Sequence, residues 1–404
     1  MGQDKFIRLK EIMLYSFGVL FFIDESIARH ILSFMAFLLV VDIFYYKNKL
    51  DCGNKKLKYC ILVFIVAGLL WNYMADFNYR AARAFLKINR DFFLVFYIYM
   101  LYKQKKESCK FYFISLFVGF LAFMIKTFIY IYKSGIENIG RYRLNSYLGD
   151  ISNTALLCSI LTCFFFGLLL SEKTRKKEKI IYAIFMSITF IFMLLTLTRA
   201  AFLATLAGMV IIVLVNKNIK VIVTSFILLL LLSYGTIKNP HFSRIKENIF
   251  NTKVEKNNGS NGIRVLLWKN AIWRIKQHPI MGSGTKQDDK LFYEYVNNMP
   301  EGNPTEKSFK ESLKNNFNDA HNMYLNGFAD NGLFYIYSLS LLLVIMPYIL
   351  LKNKDYKYRL PLLGALATVA IYGLVWSVWR VGWSCLAVWV LFSLVCYSYE
   401  EVTE

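Results

Sequence analysis

Apolar runs recur from one end of this chain to the other, at approximately residues 11–23, 31–46, 59–75, 92–102, 111–132, 151–171, 180–197, 200–215, 221–236, 332–351, 360–376 and 382–398. Crossing a hydrocarbon core of about 30 Å takes about 20 apolar residues in a helix. Inside lipid the backbone N–H and C=O groups have only each other as partners, so a spanning segment must be helical or belong to a closed barrel. The ten-residue alternation of a barrel strand does not occur. The runs therefore predict an all-α, polytopic membrane protein with about 12 transmembrane helices, of which the first and fourth are the shortest. No cleavable signal peptide is expected, because the first run lacks a small-residue cleavage site and leads into Asp24-Glu25.

The chain carries 48 Lys and Arg against 27 Asp and Glu, a formal charge of +21. Such an excess fits either nucleic acid or the cytoplasmic loops of a membrane protein, and the placement of the charges decides. Every second connector is basic: 47-KNKLDCGNKKLK-58, 103-KQKKESCK-110, 172-EKTRKKEK-179, 216-NKNIK-220 and 352-KNKDYKYR-359, with the N-terminal MGQDKFIRLK in the same set. Cytoplasmic loops hold the Lys/Arg excess, so both the N and C termini are expected in the cytoplasm and the alternate loops outside. These basic loops are too short to read nucleic acid. The organisation is then residues 1–236 as transmembrane helices 1–9, 237–320 as one large periplasmic loop forming a mainly helical cap, and 321–404 as helices 10–12. Within the cap, 264-RVLLWKNAIWRI-275 repeats Val265, Trp268, Ile272 and Ile275 at helical spacing, whereas 251-NTKVEKNNGSNG-262 is polar and turn-rich. The seven cysteines show no C-x-x-C spacing and read as structural thiols.

With lysines assigned inside, arginines outside become informative. The run 180–215 has basic loops at both ends and about twice the length of one span, so it crosses twice and reverses near Thr198-Arg199. A charge at mid-bilayer costs about 2.5–3.5 kcal/mol on insertion scales; Arg199 avoids that cost at the mouth of a hairpin. In 76-DFNYRAARAFLKINRD-91, Arg80, Arg83, Lys87 and Arg90 share one side of a helix, with Ala84, Phe85 and Ile88 elsewhere on it. That pattern serves an interfacial helix among lipid phosphates and equally a cradle for a phosphorylated lipid. Arg141, Arg143 and Arg380 add external charge. Guanidinium groups bind phosphate bidentately and stay charged when partly desolvated, which favours a lipid diphosphate as ligand.

Of four histidines, His30 and His241 are incidental and His278 stands in the turn 276-KQHPIMGSG-284. His321, in 318-NDAHNMYLNGFADNGLFYIYSL-339, sits where the external segment meets the tenth span, with Asp319 and Asn322 beside it to orient an imidazole. Its ordinary pKa near 6.5 suits a general base. Asp288-Asp289, flanked by lysines, reads as a solvated loop, and no metal site or cofactor is expected. GSGTK at 282–286 is too short for a nucleotide-binding phosphate loop.

Three of these features together resemble the O-antigen ligases of lipopolysaccharide synthesis, within the superfamily that includes O-antigen polymerases and bacterial protein O-oligosaccharyltransferases. They are R-x-x-x-L at the mouth of a hairpin (Arg199 to Leu203), an arginine followed by a Trp- and Ala-containing helix and a P-x-x-G-x-G turn (Arg264, Trp268, Ala271, 279-PIMGSG-284), and H-[NSQ]-x9-G-x-x-[GTY] (His321, Asn322, Gly332, Tyr335). One departure is that 374-LVWSVWR-380 lacks the acidic residue some ligases carry near the outer end of the eleventh helix.

The resemblance implies inverting, metal-independent transfer of an O-polysaccharide from undecaprenyl diphosphate to an outer-core sugar of lipid A-core, at the periplasmic face of the bacterial inner membrane. Arg199 and Arg264 would hold the diphosphate with Arg80 and Arg83 in support. His321 would take the acceptor's proton, supported by Asp319, Asn322, Gly332 and Tyr335. The expected partners are that lipid-linked donor, lipid A-core and membrane lipids, with no nucleic acid. The rival readings are an O-antigen polymerase using the same donor, whose sizeable second arginine-rich loop is missing here because 134–150 is short, and a lipid-linked sugar transporter, for which internal repeats are lacking.

Overall fold

The structure is a computed structural model and describes residues 2–53, 55–76, 79–133, 144, 150–216, 227, 234, 260–285, 294–295, 297–298, 319–380 and 382–397. Among these residues every regular element is helical: α1 (Gln3–Leu20), α2 (Glu25–Phe44), α3 (Lys55–Asp76), α4 (Tyr79–Asn89), α5 (Phe93–Gln104), α6 (Ser108–Lys133), α7 (Ile151–Leu170), α8 (Lys176–Leu195), α9 (Arg199–Asn216) and α10 (Ser260–Gln277). The later helices are α11 (Met323–Asn331), α12 (Tyr335–Ser340), α13 (Met346–Lys352), α14 (Arg359–Tyr372) and α15 (Gly382–Tyr397).

Seven of the helical stretches are long and apolar enough to cross a membrane: 25–44, 55–75, 110–133, 151–170, 176–195, 199–216 and 323–352. The chain is thus a multi-pass membrane protein, all-helical among the described residues. Shorter apolar helices cover 359–372 and 382–396. The two weak segments are weak for different reasons. α1 starts eight residues before the apolar run and buries Lys10, which pairs with Asp42 of α2 while its backbone carbonyl accepts from the Tyr97 hydroxyl at 2.8 Å. α5 is short but buried on every residue from Phe93 to Tyr102, so protein rather than lipid surrounds it. The expected span 221–236, save for Ile227 and Tyr234, and the pair Asp288-Asp289, Arg141, Arg143 and His241 lie outside the described residues.

Close packing of α7, α9 and α14 forms the centre. Here Gly208 faces Gly364: a Cβ on Gly208 would stand 2.8 Å from the Gly364 carbonyl oxygen and 2.4 Å from Thr368 Oγ1. In lipid, where apolar surface gains nothing from leaving water, small residues that let backbones approach supply the packing. Thr162, Thr205 and Thr368 return their hydroxyls to carbonyls one turn back, so each polar group is satisfied within its own helix. α8 and α9 form the expected hairpin, reversing at 196–198 with Leu197 at φ 52°.

The stretch 323–352 is helical throughout but irregular. α11 leads through a 3-10 turn (Gly332–Phe334) into α12, then a π turn (Leu341–Ile345) precedes α13. It starts nine residues ahead of the apolar run at 332, because α11 packs on α10 rather than lipid.

Candidate active site

α10 forms where the sequence predicts a helix, but it buries another face. Leu267, Asn270, Ala271 and Arg274 are buried, whereas Val265 and Ile272 are exposed. Ala271 packs against Ala320 and Ala329, with Trp268 and Ile275 alongside. Small side chains at that seam bring α10 close enough for buried Arg274 to reach Asp330 of α11 at 3.2 Å. The second carboxylate oxygen of Asp330 faces Arg380 Nε at 3.8 Å. Trp268 Nε1 donates to the Ala320 carbonyl at 3.0 Å, fixing the helix to the residue before His321.

The turn 279–284 docks beneath. Its Ser283 and Gly284 N–H groups donate to the carbonyls of Ala329 and Asp330 at 2.8 Å, and Leu333 N–H returns a bond to Ile280 at 2.9 Å. Gly332 has φ 53°, and a Cβ there would lie 2.0 Å from the Ile280 carbonyl oxygen. Only glycine fits both the conformation and the gap. The P-x-x-G-x-G turn and the glycine of the histidine motif are therefore two sides of one backbone junction. Thr285 N–H donates to Asn72 Oδ1 at 2.8 Å, tying the junction to α3.

His321 precedes α11 in a left-handed conformation, φ 46°. Its ring lies flat against Trp376, centroids 5.2 Å apart at 17°. Burial lowers its pKa below the ordinary 6.5 and the Arg264 guanidinium lowers it further, against the opposing pull of Asp319 and Asp150. The charge of the half-buried Arg264 is thus felt at the imidazole, as is that of Asp150, whose carboxylate caps α7 by accepting from Ser152 N–H at 2.7 Å. Asn322 has another occupation: its Oδ1 caps α11 by accepting from Tyr324 and Leu325 N–H at 2.9 and 3.0 Å.

Asp319 accepts the His321 backbone N–H at 2.7 Å, the Asn326 amide and the Ser377 hydroxyl. Burial alone would raise its pKa, but Arg380, the Ser377 hydrogen bond and His321 outweigh burial and hold the carboxyl below its usual value. The segment 374–380, which has no carboxylate of its own, thereby receives one from Asp319. Tyr335 is wholly buried, its ring covering Gly327, where a Cβ would be 2.1 Å from the ring; its hydroxyl has no hydrogen-bond partner among the described residues.

The arginines separate into groups. Arg264 is near enough to the imidazole for its charge to lower the ring's pKa. Arg199 is exposed as the first residue of α9. It opens α9 at the end of the bundle where α7 begins and α14 ends: Ser159 of α7 bonds the Ala201 carbonyl, and Tyr372 of α14 bonds that of Ser152. Arg80 and Arg83 lie on the exposed side of α4 and line, with Lys87 and Arg90, an open depression of their own. The opposite side of α4 buries Ala81, Phe85 and Asn89.

Sequence reasoning missed Asp150, Arg274, Asn326, Asp330, Trp376 and Ser377. Arg274 was within reach of it: Ala271 and Arg274 share a helical face three residues apart, and Asp330 is the one acidic residue just ahead of the apolar run at 332.

The sequence model of the family described as O-Antigen ligase matches residues 183–337. The match takes in Arg199, Arg264, the 279–284 turn, His321, Gly332 and Tyr335, and leaves out Arg80, Arg83, Asp150 and Ser377. It supports the O-antigen ligase superfamily that the motifs resemble, and with it a membrane-embedded, glycosyltransferase-like activity. No curated protein matches the chain.

Proposed function

We propose that this chain, whose central part is similar to O-antigen ligases, transfers an O-polysaccharide from undecaprenyl diphosphate to the outer core of lipid A-core. In this reading the reaction takes place at the periplasmic face of the bacterial inner membrane, without metal or cofactor, and inverts the anomeric carbon. The observation that carries it is the His321 imidazole, held flat on Trp376 at the start of α11, with the positive charge of Arg264 near enough to favour its neutral form. Cleavage of the anomeric C–O bond leaves negative charge on the lipid diphosphate, and a fixed cation there is worth about 3–4 kcal/mol. Arg264 and Arg199 supply it in this mechanism, with Arg80 and Arg83 adding positive potential on the same side. His321 accepts the proton of the acceptor hydroxyl as that oxygen attacks. Asp319, Asn322, Gly332 and Tyr335 hold the surrounding framework.

The test is reconstitution of the purified protein with lipid-linked O-polysaccharide and lipid A-core. Capped lipopolysaccharide is expected, with chelator present and no nucleotide added. His321→Ala is expected to abolish product while donor binding stays within about threefold, since the base acts only in the transition state. Longer donor-linked chains as sole product would make the protein a polymerase; flipped but unreacted donor would make it a transporter.

A further inference from the structure

His321 is held in a backbone conformation that L-residues rarely adopt, and such strain persists only where the surroundings over-determine it. The surroundings here are specific. Asn326 donates its amide to both Asp319 Oδ1 and, at 2.6 Å, the Ser377 hydroxyl; Ser377 donates to the same Asp319 oxygen. Asn326 Oδ1 in turn accepts the Ala320 N–H at 3.1 Å. Three side chains from three segments thus close a ring of hydrogen bonds, and the fourth bond on Asp319 Oδ1's circuit is the His321 backbone N–H. Ser377 and Asn326 are buried at 1% and 3% exposure, so each donor left without its partner would carry a desolvation penalty. Beyond the ring, Met323 N–H bonds the Gly373 carbonyl at 2.7 Å, and the imidazole rests on Trp376, one residue before Ser377. The segment that supplies Ser377 therefore also supplies the surface beneath the imidazole.

We infer that Asp319, gripped by Ser377 and Asn326, is the positioning carboxylate of this centre: its hydrogen bond to the His321 N–H keeps that residue left-handed and its imidazole flat on Trp376. This rests on the reading of His321 as the base. The role is geometric, so it belongs to the oxygen that accepts the N–H and not to the negative charge. Asparagine at 319 retains an acceptor oxygen and removes the charge; alanine removes both. The other charged groups facing the imidazole are Arg264 and Asp150, with Arg380 acting on Asp319 itself.

The experiment measures kcat, donor KM, the pH profile and the thermal midpoint for Asp319→Asn, Asp319→Ala, Ser377→Ala, Ser377→Thr and His321→Ala, in the full-length purified protein with a polyprenyl diphosphate-linked glycan. Asp319→Ala is expected to lower kcat by about 100-fold, the effect of a misplaced reacting group, at unchanged donor KM. Asp319→Asn is expected to keep kcat within about fivefold while the acid limb moves to lower pH, because the imidazolium loses an anionic neighbour. Ser377→Ala should lose about tenfold in kcat and Ser377→Thr should recover it, both with the thermal midpoint little changed. Wild-type kcat in Asp319→Ala, equal loss in Asp319→Asn and Asp319→Ala, or losses that merely track unfolded protein would each overturn the inference. An inactive His321→Ala beside a fully active Asp319→Ala overturns the positioning role alone; an active His321→Ala overturns the base reading on which it depends.

Discussion

A base that must be neutral to work gains from neighbours that disfavour its proton. His321 has burial and Arg264 on that side, and Asp319 and Asp150 on the other, with the first pair prevailing. Because the folded pKa lies below the ordinary histidine value, the neutral ring persists to more acidic pH than a free imidazole would. The rate should therefore fall only as pH drops through that lowered pKa. Arg264→Gln removes a cation that repels the imidazolium, so the acid limb should move upward in pH, in the opposite direction to Asp319→Asn, while kcat also falls through loss of the cation proposed to hold the diphosphate. A profile of kcat/KM against pH reads both. An unmoved limb in Arg264→Gln would mean that a group other than His321 sets it.

At the scale of elements, α10 and α11 act as one unit through Arg274, Asp330 and Arg380. Asp330→Leu removes the carboxylate that the buried Arg274 and the half-buried Arg380 share and should destabilise by about 3–5 kcal/mol. Arg274→Met leaves Asp330 paired with Arg380 and should cost less, about 1–3 kcal/mol; thermal unfolding in detergent orders the two. That pairing also marks the limit of what could be read from sequence. The helix at 264–275 and the reversal near Arg199 were legible because apolar period and loop charge specify them locally. The buried face of α10 was not, because Ala271, Arg274 and Asp330 become a seam only when two segments more than fifty positions apart are brought together. The histidine motif showed which residues to gather, but not that Asn322 caps a helix or that Gly332 exists to admit Ile280. Ser377 carried no signal at all, since a lone serine in an aromatic stretch has no period.

For the molecule as a whole, orientation was argued from lysines, and it is tested directly. His278→Cys, on the exposed turn after α10, and Lys177→Cys, on the exposed start of α8, should react oppositely with a membrane-impermeant maleimide. In intact spheroplasts, label is expected at 278 and not at 177; inverted vesicles should reverse this. Cys52, Cys158, Cys163, Cys385 and Cys396 are buried and interfere little, and Cys60 and Cys109 are replaced by serine in the parent protein used for both variants. One irregularity reaches across the whole bilayer. The π turn at Leu341–Ile345 adds to the long 323–352 stretch a residue that an uninterrupted α-helix would not hold. Excising a single leucine from it would leave a span of adequate length and greasiness. That excision would restore an uninterrupted α-helix and leave the flanking turns near their present phase. A residue removed outside the π turn would instead rotate one half by about 100° against the other, carrying Asn326 and Asp330 away from Ser377 and Arg274. What this helix transmits from one of its ends to the other is angular phase.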